Sequence, residues 1–194
     1  MTLLNSIPPG FILILGAIVL LLLPATARKA GAIGLAALGF FAISQLEDGE
    51  RLFPTLLGFK LTLLRVDATS RAFGYIFTLC AFAAFIFSWH EKSRAENTAA
   101  LVYIGSALGV VFAGDMITWY VCWELMAIAS TFLVLARKTE KSLKAAQRYI
   151  LVHLAGGLIL LTGILLTVHN RKTGLIEFNE FPKGEIGSWL ILIG

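Results

Sequence analysis

Residues 98–136 read TAALVYIGSALGVVFAGDMITWYVCWELMAIASTFLVLA, thirty-nine residues with two charges, Asp115 and Glu124. As one helix the stretch would be about 58 Å long, nearly twice the hydrocarbon thickness of a bilayer. It must therefore turn once. Gly114-Asp115 is the natural place, with the aspartate capping the second helix. Two membrane spans are predicted, at about 98–113 and 115–136. Composition agrees, because the chain is 58% hydrophobic and 14% charged, whereas soluble domains are nearer 45–50% apolar and about 25% charged.

Working outward, further spans are predicted at about 8–24, 30–46, 71–89 and 145–168. Ser6 is placed to cap the first, and prolines fall in its first turn, where a missing N–H costs little. Between the second and third spans, Glu47 to Ser70 holds LFPTLLGF and LTLLRV. Both are too short to cross a bilayer and suit a short extracytoplasmic hairpin or loop. After the sixth span, Asn170 to Gly187 is polar, and Ser188–Gly194 opens something apolar. The expected fold class is an all-α integral membrane protein: six transmembrane helices plus the start of a seventh, in one membrane domain over residues 1–194.

Phe11 to Leu23 followed by Ala25-Thr26-Ala27 has the outline of a signal peptide. No Lys or Arg precedes it, however, and Arg28-Lys29 follow directly, which favours a retained helix with its N-terminus outside. The loops Arg28-Lys29, His90–Asn97 and Arg137–Arg148 hold nine Lys/Arg, against seven on the other side. The positive-inside rule then makes the first set cytoplasmic. A net charge of +4 spread over short loops reads as topology signal, so no nucleic-acid partner is expected. Cys80 and Cys122 form no disulfide framework or metal motif. The sequence has no phosphate-cradling loop, metal-ligand cluster or nucleophile–base pattern, so no cofactor or metal is expected and no catalytic chemistry is assigned to the chain itself.

Glu124 is the residue that needs a reason. It lies nine residues after Asp115 and thirteen before Arg137, near mid-membrane, where a charged side chain is expensive and commonly functional. One reading is a protonated carboxyl packed as interhelical glue. The other is a proton or ion site: burial favours the neutral form and a nearby cation the ionised form, so a movable partner switches it. No Lys or Arg lies deep inside a span; Arg71 and Arg148 stand near the ends of theirs. His153, in the sixth helix, is the candidate proton relay. Upright helices would set it about 10 Å nearer the cytoplasmic face than Glu124, which argues against direct pairing. Asp115 reads as a helix cap. Tyr120 and Thr131 share the Glu124 face, and Gly105–Gly109 with Gly156, Gly157 and Gly163 read as close-packing devices.

The run DMITWYVCWELMAIASTFLV from Asp115, then a basic loop, then AAQRYILVHLAGGLILLTG ending at Gly163, closely resembles the antiporter-like subunits shared by Mrp-type Na⁺/H⁺ antiporters and respiratory complex I. LTLLRVDATSRAFGYIF, with Asp67, is similar to the family's stretch before its third helix. HLAGG and TGLIEF resemble the Mrp D-type subunit most. The resemblance implies a long helical subunit of two inverted five-helix repeats inside a multi-subunit complex. In it the fifth-helix glutamate, here Glu124, shares a proton pathway with a lysine of a broken seventh helix. The present sequence stops at Gly194, before such a lysine, so another segment or chain is expected to supply the second repeat.

The expected function is a proton-translocating subunit, or part of one, of a multi-subunit Mrp-type cation/proton antiporter. The alternatives are a proton-pumping subunit of a complex I-like oxidoreductase, quinone- or hydrogenase-linked, and a structural half-subunit that only seals the complex. Expected partners are other membrane subunits, protons, Na⁺ and the lipid of a bacterial or archaeal cell membrane.

Overall fold

The computed structural model describes residues 7–52, 61–90, 93–171 and 184–194. In chain order they form α1 (Pro9–Leu21), α2 (Ala25–Ser44), β1 (Gly49–Leu52), β2 (Thr62–Val66), α3 (Ala68–Phe87), a 3₁₀ turn (Ser88–His90), α4 (Arg94–Phe112), α5 (Met116–Leu135), α6 (Glu140–Arg171) and α7 (Ile186–Ile193). Ser6, most of LFPTLLGF and residues 172–183, TGLIEF among them, lie outside the described residues.

Among the described residues, five helices are long and apolar enough to cross a membrane: α2, α3 with its 3₁₀ turn, α4, α5 and α6. The first helix is shorter than expected, at 13 residues, about 20 Å against a hydrocarbon core of about 30 Å. Large apolar side chains such as Leu15, Val19, Phe87, Leu151, Val152 and Leu158 are exposed on the outside of the bundle. In water they would form patches beyond what soluble monomers tolerate; in lipid they are an ordinary outer surface.

Helix starts are set by caps that the apolar pattern alone does not reveal. Asp67 accepts from the Ser70 N–H at 2.7 Å while the Ser70 hydroxyl accepts from the Asp67 N–H, a reciprocal capping box for α3. Ser93 accepts from the Glu96 N–H, so α4 starts at Arg94 rather than near Thr98. Thr139 and Ser142 cap one another at 3.0 Å, so α6 starts at Glu140 rather than near Ala145. Helix α2 begins at Ala25, straight after Pro24. Arg28 is therefore inside a helix and buried, donating from Nη1 to the Leu23 carbonyl, which corrects the expectation that Arg28 sits in a loop. Lys29 donates to the Trp89 carbonyl, which joins the start of α2 to the end of α3 at one end of the bundle.

Helices α1 to α4 and the hairpin share a core. Leu13, Ile43, Leu46, Leu64, Val66, Leu108 and Phe112 form its hairpin end; Ala17, Leu20, Ala32, Ala36, Ala81, Phe85 and Leu101 form the other. Helices α1 and α4 approach closely at Gly10 and Gly105, where a Cβ at either position would strike the other's backbone. The antiparallel strands pair Gly49 with Val66 and Arg51 with Leu64, with a bulge before Leu52. Helices α5 and α6 pack through Met116, Leu160, Ile164 and Val168. The short α7 lies against α6 at Gly163, where a Cβ would come within 2.8 Å of the Gly187 carbonyl oxygen.

Candidate functional site: a carboxylate and an imidazole between α5 and α6

Helix α5 is anchored at its start. Both Asp115 oxygens are used: Oδ1 accepts from the Thr118 N–H at 2.8 Å, and Oδ2 from the Thr118 hydroxyl at 2.6 Å and the Thr62 N–H at 2.7 Å. Gly114 N–H donates in turn to the Thr62 carbonyl at 2.9 Å. The strand β2 is thereby bolted to the α4–α5 turn. Asp115 is a cap, as its position suggested, and it also ties down the hairpin.

Two and a half turns further on, Glu124 faces α6. Its Oε1 lies 3.6 Å from His153 Nε2, with the two side chains 18% and 17% exposed. This corrects the expectation that the two stand apart in height. The reason is the early start of α6: His153 is thirteen residues into α6 and Glu124 eleven residues before the end of α5, depths of about 20 and 17 Å from the same end. Neither Oε1 nor Nε2 has a hydrogen-bond partner among the described residues, and 3.6 Å is a close approach rather than a hydrogen bond.

Space for the carboxylate comes from Gly157. A Cβ built there would fall on Glu124 Oε1, so a residue read from sequence as a packing device also shapes the site. Tyr120, one turn before Glu124, reaches its carboxylate. Thr131 does not take part; its hydroxyl donates to the Ala127 carbonyl at 2.9 Å. The imidazole is near-parallel to two rings: Trp123 at 6.5 Å with 17° between planes, and Tyr149 at 5.9 Å with 19°. Trp119 stacks on Trp123 at 5.2 Å. Trp123 also lines an apolar cavity of about 600 Å³ with Phe77, Cys80, Tyr103 and Met126, between α3, α4 and α5. Sequence reasoning missed the aromatic pair, although Tyr149 at four residues before His153 is a readable one-turn neighbour. His90 and His169 are exposed and distant from this pair in the fold.

Residues 113–194 match the family model described as NADH:quinone oxidoreductase/Mrp antiporter, TM. The chain is 28% identical over 171 residues to Na(+)/H(+) antiporter subunit A1 of Staphylococcus haemolyticus, covering 78% of this chain and 21% of that protein. It is 36% identical over 106 residues to NADH-quinone oxidoreductase subunit M of Buchnera aphidicola, covering 50% and 21%. Hydrogenase-4 component B of Escherichia coli is 25% identical over 125 residues, covering 61% and 18%. The chain thus spans about a fifth of the length of these relatives. Among solved structures, a chain of respiratory complex I from Thermus thermophilus superposes with a TM-score of 0.79 at 20% identity, over 94% of this chain and 40% of that one. A chain of the archaeal membrane-bound sulfane sulfur reductase does so with 0.75 at 25% identity, over 90% and 29%. The fold is therefore that of antiporter-like respiratory subunits, and the D-type resemblance is finer than these matches resolve. Residues 113–194, the part similar to the transmembrane family shared by NADH:quinone oxidoreductases and Mrp antiporters, carry both Glu124 and His153.

Proposed function

We propose that the chain is a proton-translocating subunit, or part of one, of a multi-subunit Mrp-type cation/proton antiporter. Glu124 is the mid-membrane protonation site and His153 the group that exchanges a proton with it. The observation that carries this reading is the Glu124–His153 contact at 3.6 Å between α5 and α6. Two titratable groups whose facing atoms have no hydrogen-bond partner among the described residues can pass a proton between Oε1 and Nε2 without breaking an existing bond. A carboxylate kept only for packing would be expected to have its lone pairs filled.

The relatives are named as subunits of antiporters and oxidoreductases, which supports placing the chain among other membrane subunits. In this reading residues 1–194 form one membrane unit. Helix α1 completes a sixth crossing, α7 opens a seventh, and the hairpin lies on the extracytoplasmic side with the N-terminus. The basic ends of α2, α4 and α6 face the cytoplasm. Protons, and Na⁺ in exchange, are the transported species.

The test is Na⁺-driven proton movement in vesicles that carry the whole complex, comparing wild type with Glu124→Gln at matched assembly. Proton movement is expected to fall to background in the variant; full activity would remove Glu124 from the pathway. A second reading, a proton-pumping subunit of a complex I-like oxidoreductase, is favoured by the 36% identity to a subunit M. It predicts proton movement that follows electron supply and ignores a Na⁺ gradient.

A further inference from the structure

His153 does not merely face Glu124; it is held there. The Tyr149 ring lies one helical turn away, 5.9 Å from the imidazole and within 19° of parallel. Tyr149 is in turn fixed across the helix boundary, its hydroxyl hydrogen-bonded to that of Ser130 on α5 at 2.9 Å. Trp123 also stands near-parallel to the imidazole at 6.5 Å and stacks in turn with Trp119. An aromatic face carries negative charge density and attracts a cation within about 6 Å, most strongly where water is excluded. The Tyr149 ring meets that distance, and the imidazole is four-fifths buried.

We propose that Tyr149 is a positioning residue for the proton site: its ring face, near-parallel to the imidazole, steadies His153 Nε2 toward Glu124 and favours the arrangement in which their shared proton resides on histidine. The proposal rests on the reading of Glu124 and His153 as a proton-exchanging pair. The step is a proton transfer from Glu124 Oε1 to His153 Nε2, which turns a carboxyl and a neutral imidazole into a carboxylate and an imidazolium. Few other groups bear on this balance. On α5 only Tyr120 reaches the carboxylate, while α7 has no ionisable side chain. On α4, Tyr103 shares the apolar cavity with Trp123. The nearest charge on α6 is Arg148, five residues before His153, about 8 Å along the axis.

Infrared difference spectra of the full chain in lipid membranes read the position of the proton. The Glu124 carboxylic C=O band is identified by its loss in Glu124→Gln, and His153→Gln shows its full intensity. At pH 7 the band is expected to be weak in wild type. Tyr149→Leu should raise the ratio of carboxyl to carboxylate about 3- to 10-fold. Tyr149→Phe, which keeps the ring face and loses only the hydroxyl, should stay within about twofold of wild type. A Leu variant with the wild-type band, or a Phe variant that matches Leu, overturns the proposal. If Tyr149→Leu does not fold, Tyr149→Met gives the same comparison with similar bulk and no ring. The outcomes are separable from those of the transport reading. Unchanged proton movement in Glu124→Gln would refute translocation yet leave the band ratios intact, whereas unchanged bands refute the positioning role alone.

Discussion

The turn between α4 and α5 and the middle of the α5–α6 interface each enclose one carboxylate, and they treat it in opposite ways. Asp115 is 3% exposed and accepts three hydrogen bonds. Glu124 Oε1 accepts none among the described residues and looks at an imidazole 3.6 Å away. Three donors hold a carboxylate in one orientation. His153 and Tyr120, the neighbours of the Glu124 carboxylate, leave Oε1 without such a lock. The difference teaches that burial alone does not set what an acid can do; the groups that surround it do.

That contrast is broken most severely by exchanging the charge at each place. Glu124→Gln should reduce ion-driven proton movement about 10²-fold or more, the scale of losing a positioned proton donor, while helix content and assembly stay normal. Asp115→Ala should do the reverse. It strands the buried N–H groups of Thr62 and Thr118, each worth about 1–3 kcal/mol, so unfolding in detergent should show a loss of about 3–4 kcal/mol and weaker protection of the hairpin. If Asp115→Ala instead folded normally and lost only transport, the division of labour between the two acids would be wrong.

Gly157 sharpens the comparison from the other side. Adding a methyl group there drives it into the Glu124 carboxylate, so Gly157→Ala should cost about 1–3 kcal/mol as an overpacked contact. It should also turn Glu124 away from His153, lowering proton movement more than stability. Equal transport in this variant at normal assembly would show that the 3.6 Å contact is not needed.

Much of this was open to a sequence reader. The thirty-nine apolar residues demand a turn at Gly114-Asp115, and the structure places it there. The short LTLLRV segment did suit a hairpin strand, and β2 alternates buried and half-buried side chains along it. Helix ends were less legible, because apolar periodicity says where a span lies but not where the helix begins. The signals were present as Ser93 three residues before Glu96 and Thr139 three before Ser142, capping patterns set in basic loops that read as surface. Missing the second one moved His153 five residues along its helix and hid the pair with Glu124. Arg28 was missed for a related reason, since Pro24 reads equally well as the end of one helix and the start of the next. The aromatic pair depends on two helices facing each other and has no signature in either alone.

The smallest expected effect comes from Asp67, which repeats the Asp115 cap in an open setting. Each aspartate takes the N–H three residues on, at 2.7 Å in one case and 2.8 Å in the other, but the Asp67 side chain is 48% exposed. The Ser70 N–H bond holds its carboxyl below the ordinary value of 3.8, against a partial rise from burial, with help from the Ser70 hydroxyl and the Arg65 guanidinium. A carboxyl lowered on folding stabilises the fold above its unfolded value, and that stability is lost as pH falls through the lowered one. Wild type should therefore lose a little stability as pH falls below the ordinary value of about 4, and Asp67→Asn, an equally good cap without a charge, should not. Solvent screening at so exposed a site limits the difference to about 0.5 kcal/mol. Thermal unfolding in detergent across that range measures it. A loss of several kcal/mol at Asp67 would mean that the cap alone, rather than burial and the tie to Thr62, is what makes Asp115 indispensable.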